Sequence, residues 1–212
     1  SASSKVVYTG YVVKRSALGI PIAIASSIKI FPSGDKFELK GSNQSSFAVD
    51  KKTNKSLHGN EQGEIYLYSP DAKKLQLIYK HSSEIKSISF VSENKYSFIG
   101  SDGFLAFLDI NEKEPKVSTN LQFQAQIIEY IENVNLVAIG TADGMIKILS
   151  IDDSFKVVGE MKAHSENVSL LKAFGSGGNE IVSLDNWRLV DAANNTLHLK
   201  GFLPPKSNKL II

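Results

Sequence analysis

The sequence contains no cysteine, which excludes a disulfide framework, a thiolate zinc site and a cysteine nucleophile. It has no apolar run that approaches the length needed to span a bilayer. Its first residues, SASSKVV, lack the charged and apolar regions of a signal peptide. Together these absences predict an intracellular protein, cytoplasmic or nuclear, with no membrane span.

The chain also lacks a strong excess of charge of either sign. Its 212 residues carry a net charge of +2, with 14 Lys/Arg against 10 Asp/Glu before residue 111 and 10 against 12 after it. Nucleic-acid-binding domains usually show a larger and more clustered basic excess. We therefore expect the lysines to solubilise exposed strands and loops, and binding of nucleic acid by the first half is the alternative.

Catalytic motifs are missing as well. There is no phosphate-binding loop and no Gly-x-Ser-x-Gly nucleophile elbow, and the glycine-rich run at 174–178 is not followed by a helix pattern. Asp152 and Asp153 are adjacent carboxylates in a predicted loop, where they are usually solvated. The four histidines, at 58, 81, 164 and 198, do not have the spacing of zinc ligands. We expect no catalytic residue, no cofactor, no metal and no small-molecule substrate.

What the sequence does contain is a repeat with a period of about forty residues. Ser69, Asp109, Ser150 and Asp191 stand 40, 41 and 41 residues apart, and alternating apolar residues precede each of them. Such alternation predicts half-buried strands. A fixed period of this length is typical of repeat architectures.

A second repeated position lies 27 or 28 residues before each closing position. Histidine occupies it twice, as His81 and His164, while Phe123 and Ser42 stand at the equivalent places. Apolar strand patterns follow each of these residues. The repeated unit therefore reads as four strands joined by turns, here named a, b, c and d, with almost no helical stretch.

These residues resemble the WD40 repeat, whose consensus is Gly-His, three residues, an apolar strand, then Ser-x-Asp and a closing Trp-Asp. His81 and His164 match the histidine, Thr141-Ala142-Asp143 and Ser183-Leu184-Asp185 match Ser/Thr-x-Asp, and Asp109 and Asp191 match the closing aspartate. The consensus tryptophan is replaced by Tyr68, Leu108, Leu149 and Val190. The resemblance covers roughly residues 20 to 203.

The resemblance implies that the repeated polar residues are structural. In the family, the histidine and the turn aspartate are linked through the Ser/Thr hydroxyl, which gives these buried groups the partners they need. A glycine follows each turn because a tight hairpin requires a positive φ. The residues expected to hold the repeats together are His81, His164, Asp102, Asp109, Asp143, Asp185 and Asp191.

The predicted fold is an all-β propeller of four-stranded antiparallel blades, with about five blades in one domain at 1–203 and a tail at 204–212. The blades close near 32, 69, 109, 150 and 191. The first would take its a, b and c strands from 6–13, 21–26 and 27–31. The last outer strand, 196–203, either completes the first blade and closes a five-bladed ring or leaves the ring incomplete or open.

Propellers act through their faces, and the loops from d to a form one rim of the channel. The candidate rim residues are Ser42, Asn43, Ser82, Glu84, Phe123, Gln124, Gln126, Ser165 and Glu166. Phe123 is either an exposed anchor or a residue packed between blades. The resemblance favours a non-enzymatic scaffold for protein partners that is a subunit of a larger intracellular complex, although fold alone does not fix function. The alternatives are a ribonucleoprotein component and a propeller enzyme with its site at the channel mouth.

Overall fold

The computed structural model describes residues 7–15, 21–30, 36–40, 44–50, 52–132, 134–174, 180–185 and 200–202. Within these ranges the chain forms eighteen β-strands and no helix, so no described segment is a helix that could cross a membrane. The prediction of an all-β chain with repeated four-stranded antiparallel sheets is confirmed. The chain forms two compact units, Ser1–Ile85 and Lys86–Ile212.

The first unit contains a three-stranded sheet in the order β1-β2-β3 and a four-stranded sheet in the order β4-β5-β6-β7. Neighbouring strands are antiparallel and joined by short connections. The strands are β1 (Val7–Arg15), β2 (Pro21–Ile30), β3 (Lys36–Lys40), β4 (Gln44–Val49), β5 (Ser56–Asn60), β6 (Glu64–Ser69) and β7 (Lys74–Lys80).

The first sheet differs from the prediction. The segments 21–26 and 27–31 were expected to be two strands, but the structure joins them in one strand, β2, which pairs with β1 from Val7↔Ile30 to Arg15↔Pro21. The run between them is Ser26-Ser27, with no glycine, proline or asparagine to make a turn. The chain therefore stays extended, and this sheet has three strands.

The polar stretch before the second sheet behaves as expected. It was predicted to contain a hairpin tip at 50–55, and β4 and β5 pair on either side of that segment, with Val49 opposite Ser56. The turn is closed by backbone bonds from Asp50 N to Lys55 O (3.0 Å) and from Asn54 N to Asp50 O (2.8 Å). Asn54 has a φ of +57°, a conformation that asparagine tolerates better than most residues.

The second unit contains three sheets in the orders β8-β9-β10-β11, β12-β13-β14-β15 and β16-β17-β18. The strands are β8 (Ile85–Ser92), β9 (Lys95–Gly100), β10 (Phe104–Asp109), β11 (Val117–Asn120), β12 (Ala125–Ile131), β13 (Leu136–Thr141), β14 (Met145–Ser150), β15 (Lys156–Lys162), β16 (Val168–Phe174), β17 (Glu180–Asp185) and β18 (Lys200–Phe202).

The last strand, β18, pairs with β17. It is therefore a strand of the last sheet, whereas the first sheet consists of β1, β2 and β3. Strand exchange through 200–202, one of the two arrangements left open by the sequence, is not what these three residues do. The predicted c strand around Trp187 and the tail at 204–212 lie outside the described residues, as does Asp191.

The core of the second unit shows that successive sheets pack face to face. One cluster joins Ile99 and Leu105 to Val137, Ile139 and Leu149 of the middle sheet. The other cluster contains residues of the opposite face of the same sheet, together with residues of the last one; it includes Ala138, Ile146, Ile148, Val168, Leu171 and Ile181. Because neighbouring residues of a strand point to opposite faces, the middle sheet is buried on both sides.

Polar side chains connect the first strands of these sheets. The hydroxyls of Ser87 and Ser89 on β8 accept hydrogen bonds from the backbone N–H groups of Ile128 and Tyr130 on β12, each at 3.1 Å. On the other side of β12, the carboxylate of Glu129 accepts hydrogen bonds from Lys172 Nζ (2.7 Å) and Ala173 N (3.3 Å) of β16. The strands β8, β12 and β16 therefore lie side by side.

Candidate functional site

Three tight turns have the same construction, and one of them, at 101–103, borders the candidate site described below. They join β5 to β6, β9 to β10 and β13 to β14, and each ends in a glycine with positive φ: Gly63 (+79°), Gly103 (+84°) and Gly144 (+83°). The predicted need for glycine at these places is confirmed. Only glycine adopts this conformation without steric cost.

Each turn glycine is covered by the loop that follows the outer strand of its sheet. The glycine carbonyl accepts a hydrogen bond from His81 N (2.8 Å), Leu121 N (2.9 Å) or His164 N (3.0 Å), respectively. By this criterion Leu121, and not Phe123, is the counterpart of the two histidines. The sequence had extended the outer strand to residue 123, but β11 ends at Asn120, so the loop begins earlier than predicted.

The histidine predicted to be structural in the last sheet is part of a buried polar network. His164 Nε2 lies 2.7 Å from the hydroxyl of Ser183, and its Nδ1 lies 3.7 Å from the carboxylate of Asp185. The imidazole is almost fully buried, so these contacts supply the polar partners that burial requires. The network links the loop before β16 to the strand β17.

The middle sheet has the hydroxyl and the aspartate of this pattern but no histidine beside them. Thr141 Oγ1 donates a hydrogen bond to Asp143 (2.5 Å) and accepts one from Met145 N (2.9 Å). The bond from Thr141 lowers the pKa of Asp143, because it stabilises the charged carboxylate. Asp143 thus fixes the turn in front of Gly144.

Two of the other predicted aspartates, Asp102 and Asp109, also accept hydrogen bonds within turns. Asp102 accepts a hydrogen bond from Phe104 N (3.1 Å), and Asp109 accepts one from Asn111 N (3.0 Å). Both are bonds across two residues, as is usual for aspartate in turns. Asp152 and Asp153, expected to be solvated, are exposed in the loop between β14 and β15.

A groove of about 470 Å³ opens beside Gly103, and it is the candidate functional site. Its lining is formed by Lys86 on β8, by the turn 101–103 and by the segment 121–126, which comprises the loop after β11 and the start of β12. All of these residues belong to the second unit. Three predicted rim residues, Phe123, Gln124 and Gln126, are brought together here with Asp102.

The amide groups of the groove are largely unused by the protein. Within the described ranges, the side chains of Gln124 and Gln126 make no hydrogen bond, whereas Gln122 Nε2 donates weakly to Asn120 O (3.3 Å). Gln126 is the extra residue at a register shift, because Ala125 pairs with Thr141 and Ile127 pairs with Gly140. Such a bulge redirects a side chain, here into the groove.

Phe123 is half-buried, and both alternatives considered from the sequence are partly met. It packs against the apolar cluster between the sheet β8–β11 and the sheet β12–β15, and it also lines the groove. The ammonium of Lys147 lies 5.2 Å from the centroid of its ring, a cation–π contact, and Lys147 is also paired with Glu160. Phe123 therefore occupies a fixed position at the groove.

The remaining rim residues do not line this groove. Ser82 and Glu84 belong to the first unit, and Ser165 and Glu166 lie exposed in the loop before β16. Ser42 and Asn43 lie outside the described residues. The sequence prediction missed Lys86, Ser101, Leu121 and Gln122; the alternation of glutamine in LQFQAQ was the available signal for the last two.

The polar groups that line the groove are mainly hydrogen-bonding groups. Its ionisable lining residues are Lys86 and Asp102, one of each sign, and the hydroxyl of Ser101 has no imidazole in the lining beside it. In the described part of the chain, no group of three or more His, Cys, Asp or Glu residues is placed to hold a metal ion. The arrangement is suited to binding through amides and an aromatic edge.

Comparison with known proteins bears on the fold alone. No protein-family model matches the chain, and no curated protein matches it. Among solved structures, it is similar to the computationally designed Ika8 protein, with a TM-score of 0.57 and 22% identity over 76% of this chain. It is also similar to the designed Ika4 protein, with a TM-score of 0.56 and 21% identity over 76% of this chain. The chain spans 52% of Ika8 and 91% of Ika4.

Proposed function

We propose that this chain is a β-propeller of about five blades that acts as a non-enzymatic scaffold for protein partners. The proposal of a propeller is supported by the serial packing of the three sheets of the second unit, whose first strands lie side by side. The forty-residue period supports it as well. Propeller faces commonly serve as rigid interaction surfaces, although fold alone does not fix function.

The observation that carries the binding role is the groove at 121–126. It combines unused amides with a half-buried aromatic side chain, and aromatic residues in sheltered positions are typical centres of protein interfaces. Its lining offers no nucleophile–base pair, which argues for binding over catalysis. Two lining charges of opposite sign also give no basic surface for a nucleic acid.

The test is affinity capture with the intact chain and with two matched variants. One variant carries Phe123→Ala, Gln124→Ala and Gln126→Ala in the groove, and the control carries Ser165→Ala and Glu166→Ala in the exposed loop before β16. We expect the groove variant to lose the partners that the native chain and the control retain, as read by quantitative mass spectrometry. Equal recovery of partners by all three proteins would contradict a role for the groove.

The ring itself is tested by size-exclusion chromatography with light scattering. A closed five-bladed ring leaves only short, protected sheet edges and is expected to be a compact monomer. An open ring would present an edge and associate at higher concentration. A monomer whose measured hydrodynamic size is that of an extended particle would contradict the propeller.

A further inference from the structure

We propose that the groove binds an extended, uncharged peptide segment through the backbone amides of that segment, with Gln124 and Gln126 as the recognising side chains. This inference rests on the proposed function, since it names the kind of partner the groove takes. It is carried by the placement of the two amides, by the balance of charge and by the position of Phe123.

The two amides match the repeat of a peptide backbone. Gln124 directly precedes β12, Gln126 is the second residue of that strand, and both line the groove. An extended peptide presents the N–H and C=O groups of one edge at the same two-residue repeat, roughly 7 Å. A glutamine side chain offers one acceptor and one donor group, which are the complement of one peptide group.

The bulge explains why these amides are available. The register shift leaves Gln126 without an opposite residue on β13, and its side chain lines the groove. Gln126 is also half-buried, which makes an unpaired amide costly and a ligand that pairs with it favourable.

The charges of the groove favour an uncharged ligand. Lys86 and Asp102 are its two ionisable lining residues, and they carry opposite signs. Each also has interactions within the protein, so neither is a dedicated partner for a ligand charge. A strongly anionic strand of nucleic acid would gain from Lys86 only what it loses beside Asp102.

The position of Phe123 separates a peptide from a nucleic acid. The ring is contacted by the Lys147 ammonium over one face and packs on the apolar cluster, so what remains for the groove is limited to part of its surface. Recognition of a base by stacking requires an open aromatic face. A single aliphatic or aromatic side chain of a peptide, by contrast, can pack on the exposed part of Phe123 and on Leu121.

The experiment selects short random peptides by display on the intact chain and measures the binding of the selected peptides by fluorescence anisotropy. The double variant Gln124→Ala/Gln126→Ala should weaken binding by about tenfold, since it removes two hydrogen bonds of about 1 kcal/mol or less each. The control Ser165→Ala/Glu166→Ala should bind like the native chain. Methylation of the peptide's backbone nitrogens, which removes donors but no side chain, should weaken binding by a similar factor.

Several results would overturn this inference. Selection that yields no peptide dependent on Gln124 and Gln126 is one, and binding that survives backbone methylation is another. Binding of a poly-uridine oligonucleotide to the groove at low salt is a third. If captured partners are lost on Phe123→Ala while peptide binding ignores the two glutamines, the scaffold role stands and the backbone-reading mode fails. Thermal unfolding of each variant shows whether its fold is intact.

Discussion

The loops that precede β12 and β16 start from the same construction and end differently. Each follows an outer strand, bonds to the carbonyl of a turn glycine and leads into the first strand of the next sheet. In the loop before β16, His164 is buried and bonded to Ser183. In the loop before β12, Leu121 stands in its place, and the groove opens there.

The two loops differ in how closely they approach the glycine of the turn that they cover. A Cβ atom added to Gly144 would overlap the carbonyl oxygens of His164 and Glu166, the second at 2.5 Å, whereas one added to Gly103 would be 3.2 Å from its nearest neighbour, Leu121 O. The loop with the histidine is therefore drawn tightly over its turn, and the loop with the leucine stands off. The groove opens where the repeat has leucine in place of the histidine.

The largest effect is expected from adding a methyl group to the two turns. Gly144→Ala should lower the free energy of unfolding by about 3 kcal/mol, because a positive φ and a backbone overlap both act against alanine. Gly103→Ala should cost only about 1–2 kcal/mol, because the positive φ is accompanied by a tight contact at 3.2 Å and not by an overlap. Chemical denaturation measures both values. Equal losses would show that the two loops are equally tight.

His58, which lies outside both loops, is a buried histidine with only one of its two ring nitrogens hydrogen-bonded, and it can be compared with His164. His58 on β5 is fully buried; its Nε2 lies 2.9 Å from Ser56 Oγ, and its Nδ1 has no hydrogen-bond partner. Burial lowers the pKa of His58 to about 4 from 6.5. The unfolded chain therefore binds the proton more readily, and stability present above pH 6.5 is lost as the pH falls towards 4.

The size of this loss can be measured by denaturation at a series of pH values. About 2 kcal/mol of the unfolding free energy should be lost by about pH 5, at 1.36 kcal/mol for each pH unit below 6.5. The variant His58→Gln, unable to titrate, should show a flatter profile over the same interval. Identical profiles for the two proteins would mean that His58 is accessible to protons in the folded state.

The hydrogen bond between His164 and Ser183 is expected to appear as an interaction free energy between the two residues. His164→Ala and Ser183→Ala should each lower the unfolding free energy by about 1–3 kcal/mol, since each leaves a buried polar partner without its hydrogen bond. The double variant should lose less than the sum, with a coupling of about 1 kcal/mol or more. Leu121→Ala serves as the control in the other loop. The losses of unfolding free energy caused by Leu121→Ala and by Ser183→Ala should add when the two changes are combined.

The smallest expected change in the free energy of unfolding is the difference between alanine variants of the two turn aspartates, Asp143 and Asp102. Asp143 accepts a hydrogen bond from the hydroxyl of the buried Thr141, whereas Asp102 accepts one from the backbone N–H of Phe104. Asp143→Ala should cost about 1 kcal/mol and Asp102→Ala about half of that, because both residues are exposed at the surface. Differential scanning calorimetry resolves such shifts in Tm. A larger effect at Asp102 would reverse the ranking.

Much of the fold could be predicted from the sequence because its signals are local. The alternation around Ile146 and Ile148 and the glycines after the turn aspartates depend only on neighbouring residues, and both agree with the structure. The split of β2 was wrong because two serines allow a turn but do not impose one. The position of Leu121 was missed because a count along the chain assumes outer strands of constant length.

The groove was harder to predict because it depends on residues that are distant in the sequence. Phe123 and the two glutamines were identified as rim residues, yet Lys86 joins them only after the first strands of adjacent sheets have come together. The bulge at Gln126 is likewise a property of pairing with β13, and the composition of β12 gives no sign of it.

The pairing of every strand with its neighbour in the sequence has a consequence for how the chain folds. In the described ranges, strands that pair within a sheet are consecutive in the chain, and the bonds between sheets of the second unit, such as that from Ile128 N to Ser87 Oγ, span about one repeat. Contacts of short range form quickly. A chain emerging from the ribosome can therefore complete one sheet of the second unit and then add the next sheet against it.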